Sequence, residues 1–138
     1  MTAAERNICA EEKPAAQLKN KNILGSARHA AQGAAACYRE ERNFGDYTII
    51  ALTFLGFNML LGSALWEYIV LIVLTAAVFA AEFLNTAIER LVDSLSGEIN
   101  AANKFIKDAA AAAVLMFGGA FFLCEGLILL PKLAEVIK

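Results

Sequence analysis

"EFLNTAIERLVD" occupies residues 82–93 and follows fourteen uncharged residues, "YIVLIVLTAAVFAA", at 68–81. The apolar run has the length and composition of a membrane helix, yet it leads into Glu82, Asn85, Glu89 and Asp93. On a helix turning ~100° per residue, offsets of 3, 7 and 11 bring those four side chains within about an 80° sector. Phe83, Leu84, Ile88, Leu91 and Val92 cover the other directions. Charge inside a span is expensive, so a one-sided acidic stripe there points to function. Its simplest structural explanation is pairing of Glu89 and Asp93 with Arg90 or Lys104 in the headgroup layer.

The rest of the chain sets the context. Its 138 residues suffice for one domain, and 59% are hydrophobic. A mean hydropathy of +0.54 is too high for an ordinary soluble domain of this size. A net charge of −2 argues against a nucleic-acid partner. Cys9, Cys37 and Cys124 are far apart and include no CxxC pair, which argues against a disulfide framework and a thiolate metal site.

Residues 1–22 form a polar tail with no apolar core to serve as a signal peptide, so the spans themselves must direct insertion. Residues 23–44 read as an amphipathic surface helix. Arg28, Gln32, Arg39 and Arg42 form one stripe, with Ile23, Ala27, Ala30, Ala34 and Cys37 opposite. Glu41 falls on the apolar side of that wheel and needs a partner. Tyr47 to Trp66 is a twenty-residue run without charge, close to the ~30 Å hydrocarbon thickness. The expected fold is therefore an all-α membrane protein: a surface helix over 23–44 and three transmembrane helices at about 47–65, 66–95 and 104–130. Pro131 is expected to stop the last of them.

Seven Lys and Arg residues precede the first span, and Arg90, Lys104 and Lys107 flank the 94–104 loop. Only Lys132 and Lys138 lie on the other side. The positive-inside tendency then puts the N-terminus and the acidic stripe at the cytoplasmic face and the C-terminus outside. Glu125 falls on that outer side, where it reads as interfacial.

"NKFIKDAAAAAV" (103–114) brings Lys107 and Asp108 into the membrane about level with the stripe. Such a lysine either balances charge or clamps phosphate. The alanine run allows close helix packing. Several carboxylates, an amide and a lysine at a membrane edge suit Mg²⁺ or another divalent cation together with phosphate. A carboxylate in an apolar wall suits proton removal from an alcohol. The chain carries neither a GxxxxGK[ST] loop nor a protein-kinase signature set. Two other classes fit parts of the pattern, a proton- or ion-conducting subunit and a non-enzymatic helical assembly protein. The first wants acids along the whole span, whereas these cluster at one end.

"EFLNTAIERLVD", Glu98 and "KDAAAAAVL" (107–115), with "ERNF" (41–44) upstream, resemble the small integral-membrane lipid kinases of bacteria. These form the prokaryotic diacylglycerol kinase family with its undecaprenol kinase branch, and the likeness covers about residues 22–130. It implies a homotrimer of three-helix subunits in the bacterial cytoplasmic (inner) membrane, with active sites shared between neighbours. It implies ATP-dependent phosphorylation of a lipid alcohol, diacylglycerol or undecaprenol, with "ERNF" leaning towards the latter. Glu82 then matches the general base, with Asn85 beside it and Asp93 in support. Glu41 and Glu89 match the ligands of the divalent ion bound with ATP. Glu98, Lys107 and Asp108 match nucleotide contacts, and Asn100 stands where the family usually has a histidine that touches the nucleotide. Gly45, Ala111 and Ala27 also depart from the pattern, at lipid and nucleotide contacts rather than at base or metal positions. His29 reads as a surface residue close to where the family can touch the nucleotide.

Overall fold

The structure, a computed structural model, describes residues 22–95 and 100–138. Among these residues it contains four α-helices and no strand: α1 (Ile23–Glu40), α2 (Arg42–Leu60), α3 (Leu65–Leu95) and α4 (Ala101–Val136). The chain divides into two compact units at Ala35 and Ala36. The first contributes most of α1, none of whose residues is buried. The second holds the end of α1 with α2, α3 and α4.

The helix over 23–44 is interrupted. α1 ends at Glu40, and Glu41 takes an extended backbone (φ −107°, ψ 119°) as N-cap of α2. Glu41 is therefore not on a helix face at all. The reason lies three residues on, where Phe44 is fully buried against Phe79 and Phe83 of α3. One extended residue redirects the chain so that this ring can reach α3.

The apolar run from Tyr47 to Trp66 is also divided. Gly62 (φ +62°) closes α2 as its left-handed C-terminal residue. The Ser63 N–H donates to the Asn58 carbonyl at 3.0 Å and the Gly62 N–H to Met59 at 3.4 Å, the paired bonds of a Schellman motif. α3 then starts at Leu65, and the Glu67 carboxylate reaches back to accept from the Ala64 N–H at 2.5 Å.

α3 is the central helix and packs against both α4 and α2. Leu71 and Val78 of α3 meet Phe121 of α4, with Ile50 and Phe54 of α2 around them. Phe54 and Phe121 stack edge to face with centroids 5.1 Å apart. Large apolar side chains such as Leu52, Ile72, Leu115 and Met116 remain exposed, as a lipid-facing surface requires. α3 and α4 are both long and apolar enough to cross a membrane. At 31 and 36 residues they reach about 46 and 54 Å, beyond the ~30 Å hydrocarbon layer. α2 is not in that group, because Arg42, Asp46 and Asn58 dilute its apolar stretch.

Two polar contacts at the far end of the bundle depart from the sequence reading. Glu125 is not interfacial: it is fully buried and accepts a hydrogen bond from Asn58 Nδ2 at 2.9 Å. Lys132, on the outer side, pairs with the buried Glu67 and donates to Ser63 Oγ at 3.2 Å. α4 also runs on through Pro131. The proline removes one backbone donor near the helix end, and Lys132 anchors the turn beyond it.

Breaking this ion pair leaves the Glu67 carboxylate without its charged partner. Lys132→Met should therefore lower the unfolding temperature in detergent micelles, and Lys132→Met with Glu67→Leu should recover most of the loss. Unfolding of Lys132→Met at the parental temperature would show that the pair contributes nothing.

Candidate active site at the end of α3

Glu82, Asn85 and Thr86 are buried on the side of α3 that faces its neighbours. The stripe arises because apolar residues supply every other direction, so the polar side must turn inward or meet the bilayer. Glu82 is only 2% exposed. Its Oε1 accepts from Asn43 Nδ2 at 2.7 Å, and the Tyr47 hydroxyl faces the same carboxylate. Both partners come from the first turns of α2, one turn apart, held there by the buried Phe44 ring. Glu82 and Asn85, one turn apart, are not hydrogen-bonded to each other. Asn85 Nδ2 instead donates down the helix to Glu89 Oε1 at 3.0 Å. This leaves Asn85 Oδ1 buried with no hydrogen-bond partner.

A cavity of about 530 Å³ opens beside these groups. Asn43, Tyr47, Glu82, Asn85 and Glu89 line its polar end. Val78, Val114, Phe121 and Phe122 line the remainder, and Ala111, Gly118 and Gly119 of α4 contribute little bulk. The space is amphipathic: carboxylates at one end and a greasy slot behind them.

The other expected site residues lie around this cavity rather than in its lining. Asp93 pairs with Lys107 at 2.6 Å, tying the ends of α3 and α4 together. Asp108 pairs with Lys104 one turn earlier on α4. Asn100 caps α4, its Oδ1 accepting from the Asn103 N–H at 2.8 Å. Glu41 meets the Arg90 guanidinium at 3.4 Å, and Glu40 meets it at 2.5 Å. Arg90 is thus the partner that Glu41 required. Glu98 lies outside the described residues.

Among the described residues no three Asp, Glu, His or Cys side chains gather closely enough to form a ready metal cage. The donor chemistry nonetheless suits a hard cation. The Glu89 carboxylate and the orphaned Asn85 oxygen are neighbouring hard oxygen donors, and a phosphate-bound Mg²⁺ needs only one or two protein ligands. Sequence reasoning missed Asn43 and Tyr47. Asn43 stood in the quoted "ERNF", but only the packing of α2 on α3 reveals what it touches.

Two helices long and apolar enough to cross a membrane, a cluster of acids at the end of α3 and an amphipathic cavity beside it suit a membrane enzyme whose substrate is part lipid and part polar. Residues 28–129 match the family model "Prokaryotic diacylglycerol kinase". The chain is 36% identical over 105 residues to the undecaprenol kinase of Bacillus subtilis, covering 76% of this chain and 85% of that protein. It is 32% identical over 117 residues to the diacylglycerol kinase of Synechocystis sp., covering 84% of this chain and 67% of that protein. It is 26% identical over 95 residues to the diacylglycerol kinase of Haemophilus influenzae, covering 69% of this chain and 80% of that protein. The protein is a lipid kinase. It belongs to the prokaryotic diacylglycerol kinase family.

Proposed function

We propose that this kinase transfers the γ-phosphate of ATP to the hydroxyl of a membrane lipid alcohol at the cytoplasmic face of the bacterial cytoplasmic membrane. The observation that carries this reading is the amphipathic cavity, with Glu82 at its polar end and an apolar slot behind. A lipid alcohol cannot leave the bilayer, so its hydroxyl meets the nucleotide at the boundary, where the acids stand. Glu82 takes the hydroxyl proton as the oxygen attacks the γ-phosphorus in line, and ADP departs. Glu89, Asn85 Oδ1 and Glu41 would hold the divalent ion that accompanies ATP, which would supply positive charge against the polyphosphate. Lys107 leaves Asp93 to meet phosphate, with Asp108, Asn100 and Glu98 on the nucleotide side. α1 lies in the cytoplasmic headgroup layer, α2 forms a third span, and three copies share their sites between neighbours.

Diacylglycerol and undecaprenol are the two substrates that the names of the relatives supply. Undecaprenol is the expected preference, following the "ERNF" segment and the 36% identity with the Bacillus subtilis enzyme. The test is phosphate transfer from ATP and Mg²⁺ to each lipid, side by side in detergent micelles. Faster turnover of undecaprenol is the expected outcome. Transfer to neither lipid would overturn the proposal.

A further inference from the structure

Asn43 stands apart from the roles assigned so far. It belongs to α2, lines the polar end of the cavity, and its amide nitrogen lies 2.7 Å from Glu82 Oε1. A carboxylate can only accept hydrogen bonds, so the amide must turn its NH₂ side to Glu82. A glutamate side chain has three rotatable bonds, and hydrogen bonding to one oxygen fixes the direction of the other. The backbone that carries Asn43 is itself held firmly, because the adjacent Phe44 is buried between Phe79 and Phe83. Tyr47, one turn along, presents its hydroxyl to the same carboxylate. The first turns of α2 thus form a fitted seat for the Glu82 side chain.

We propose that Asn43 is the positioning residue for Glu82, its amide N–H fixing the carboxylate rotamer so that Oε2 faces the acceptor hydroxyl in the cavity. The inference rests on the reading of Glu82 as the base. Asn43 does not touch the nucleotide in this role, so its loss lowers the rate of the chemical step and leaves ATP recognition alone. It also acts only through Glu82, and the two substitutions should therefore not multiply.

The experiment measures kcat and the KM for ATP with undecaprenol and with diacylglycerol, on full-length protein in detergent micelles. The variants are Asn43→Asp, Asn43→Ala, Glu82→Gln and the double variant Asn43→Ala with Glu82→Gln. Asn43→Asp keeps the shape of the side chain but has no N–H to donate and sets a second carboxylate against the first. It should lower kcat at least as far as Asn43→Ala, by roughly 10- to 100-fold, with the KM for ATP within about twofold of the parent. In the Glu82→Gln background, Asn43→Ala should change the rate by less than about threefold. A parental kcat for Asn43→Asp overturns the inference, as does a full-sized effect of Asn43→Ala in the Glu82→Gln background. If Glu82→Gln itself keeps more than about a tenth of the parental rate, the base reading falls and this inference falls with it. A slow Glu82→Gln beside a normal Asn43→Asp sinks the positioning role alone.

Discussion

Glu82→Gln is expected to lower lipid phosphorylation by roughly 10²–10⁴-fold, about 3–5 kcal/mol of transition-state stabilisation. Gln keeps the size of the side chain and retains an oxygen that can accept from Asn43, so the seat formed by α2 remains filled. What it removes is the capacity to take a proton. ATP binding and assembly should be close to those of the parent, because neither depends on that capacity. Positioning and charge neutralisation dominate phosphoryl transfer, which is why a residual rate should survive. Turnover of a short-chain lipid alcohol and nucleotide affinity, measured on the same preparation, decide the matter. More than about a tenth of the parental rate would remove Glu82 from the base role.

Glu89→Gln and Glu41→Gln are expected to act on the cation rather than on the proton. Each takes one negative oxygen from a site that few protein ligands serve, so each should raise the Mg²⁺ concentration needed for half-maximal rate by about tenfold or more. Glu89→Gln can still accept from Asn85, so the fold of α3 should persist. Glu41→Gln also loosens one of the two carboxylates on Arg90, yet Glu40 remains to hold the guanidinium. Mg²⁺ titrations at fixed ATP, with Mn²⁺ binding followed by electron paramagnetic resonance, separate loss of the cation from loss of fold. An unchanged cation requirement in either variant would exclude that residue from the metal site.

The acidic side of α3 was legible because one periodicity within one helix decides which residues share a direction. The choice of partners was not. Spacing allows Asn85 to reach either Glu82, three residues back, or Glu89, four residues on, and Asn43 of another helix had already taken Glu82. The break at Glu41 left no glycine or proline to announce it, since its cause is the burial of Phe44 against α3. The end of α2 at Leu60 falls short of the expected limit near residue 65, because Gly62 takes the left-handed backbone that closes the helix. Hydropathy read Glu125 as a boundary because it assigns any acid to water. Its partner Asn58 lies 67 residues earlier, a pairing that a linear scan cannot see. Pro131 misled for a related reason, since a helix anchored beyond the proline can carry it.

The Asn58–Glu125 bond has a consequence for how the protein is made. An acidic side chain inside α4 opposes the passage of that segment from the translocation channel into lipid; a charge at the centre of a span costs roughly 2.5–3.5 kcal/mol, and less towards its ends. Asn58 precedes Glu125 in the chain, so the amide has left the ribosome before the acid is synthesised. On the proposed reading of α2 as a span, the last helix to emerge finds its polar partner already waiting, and the order of the residues along the chain doubles as an order of insertion.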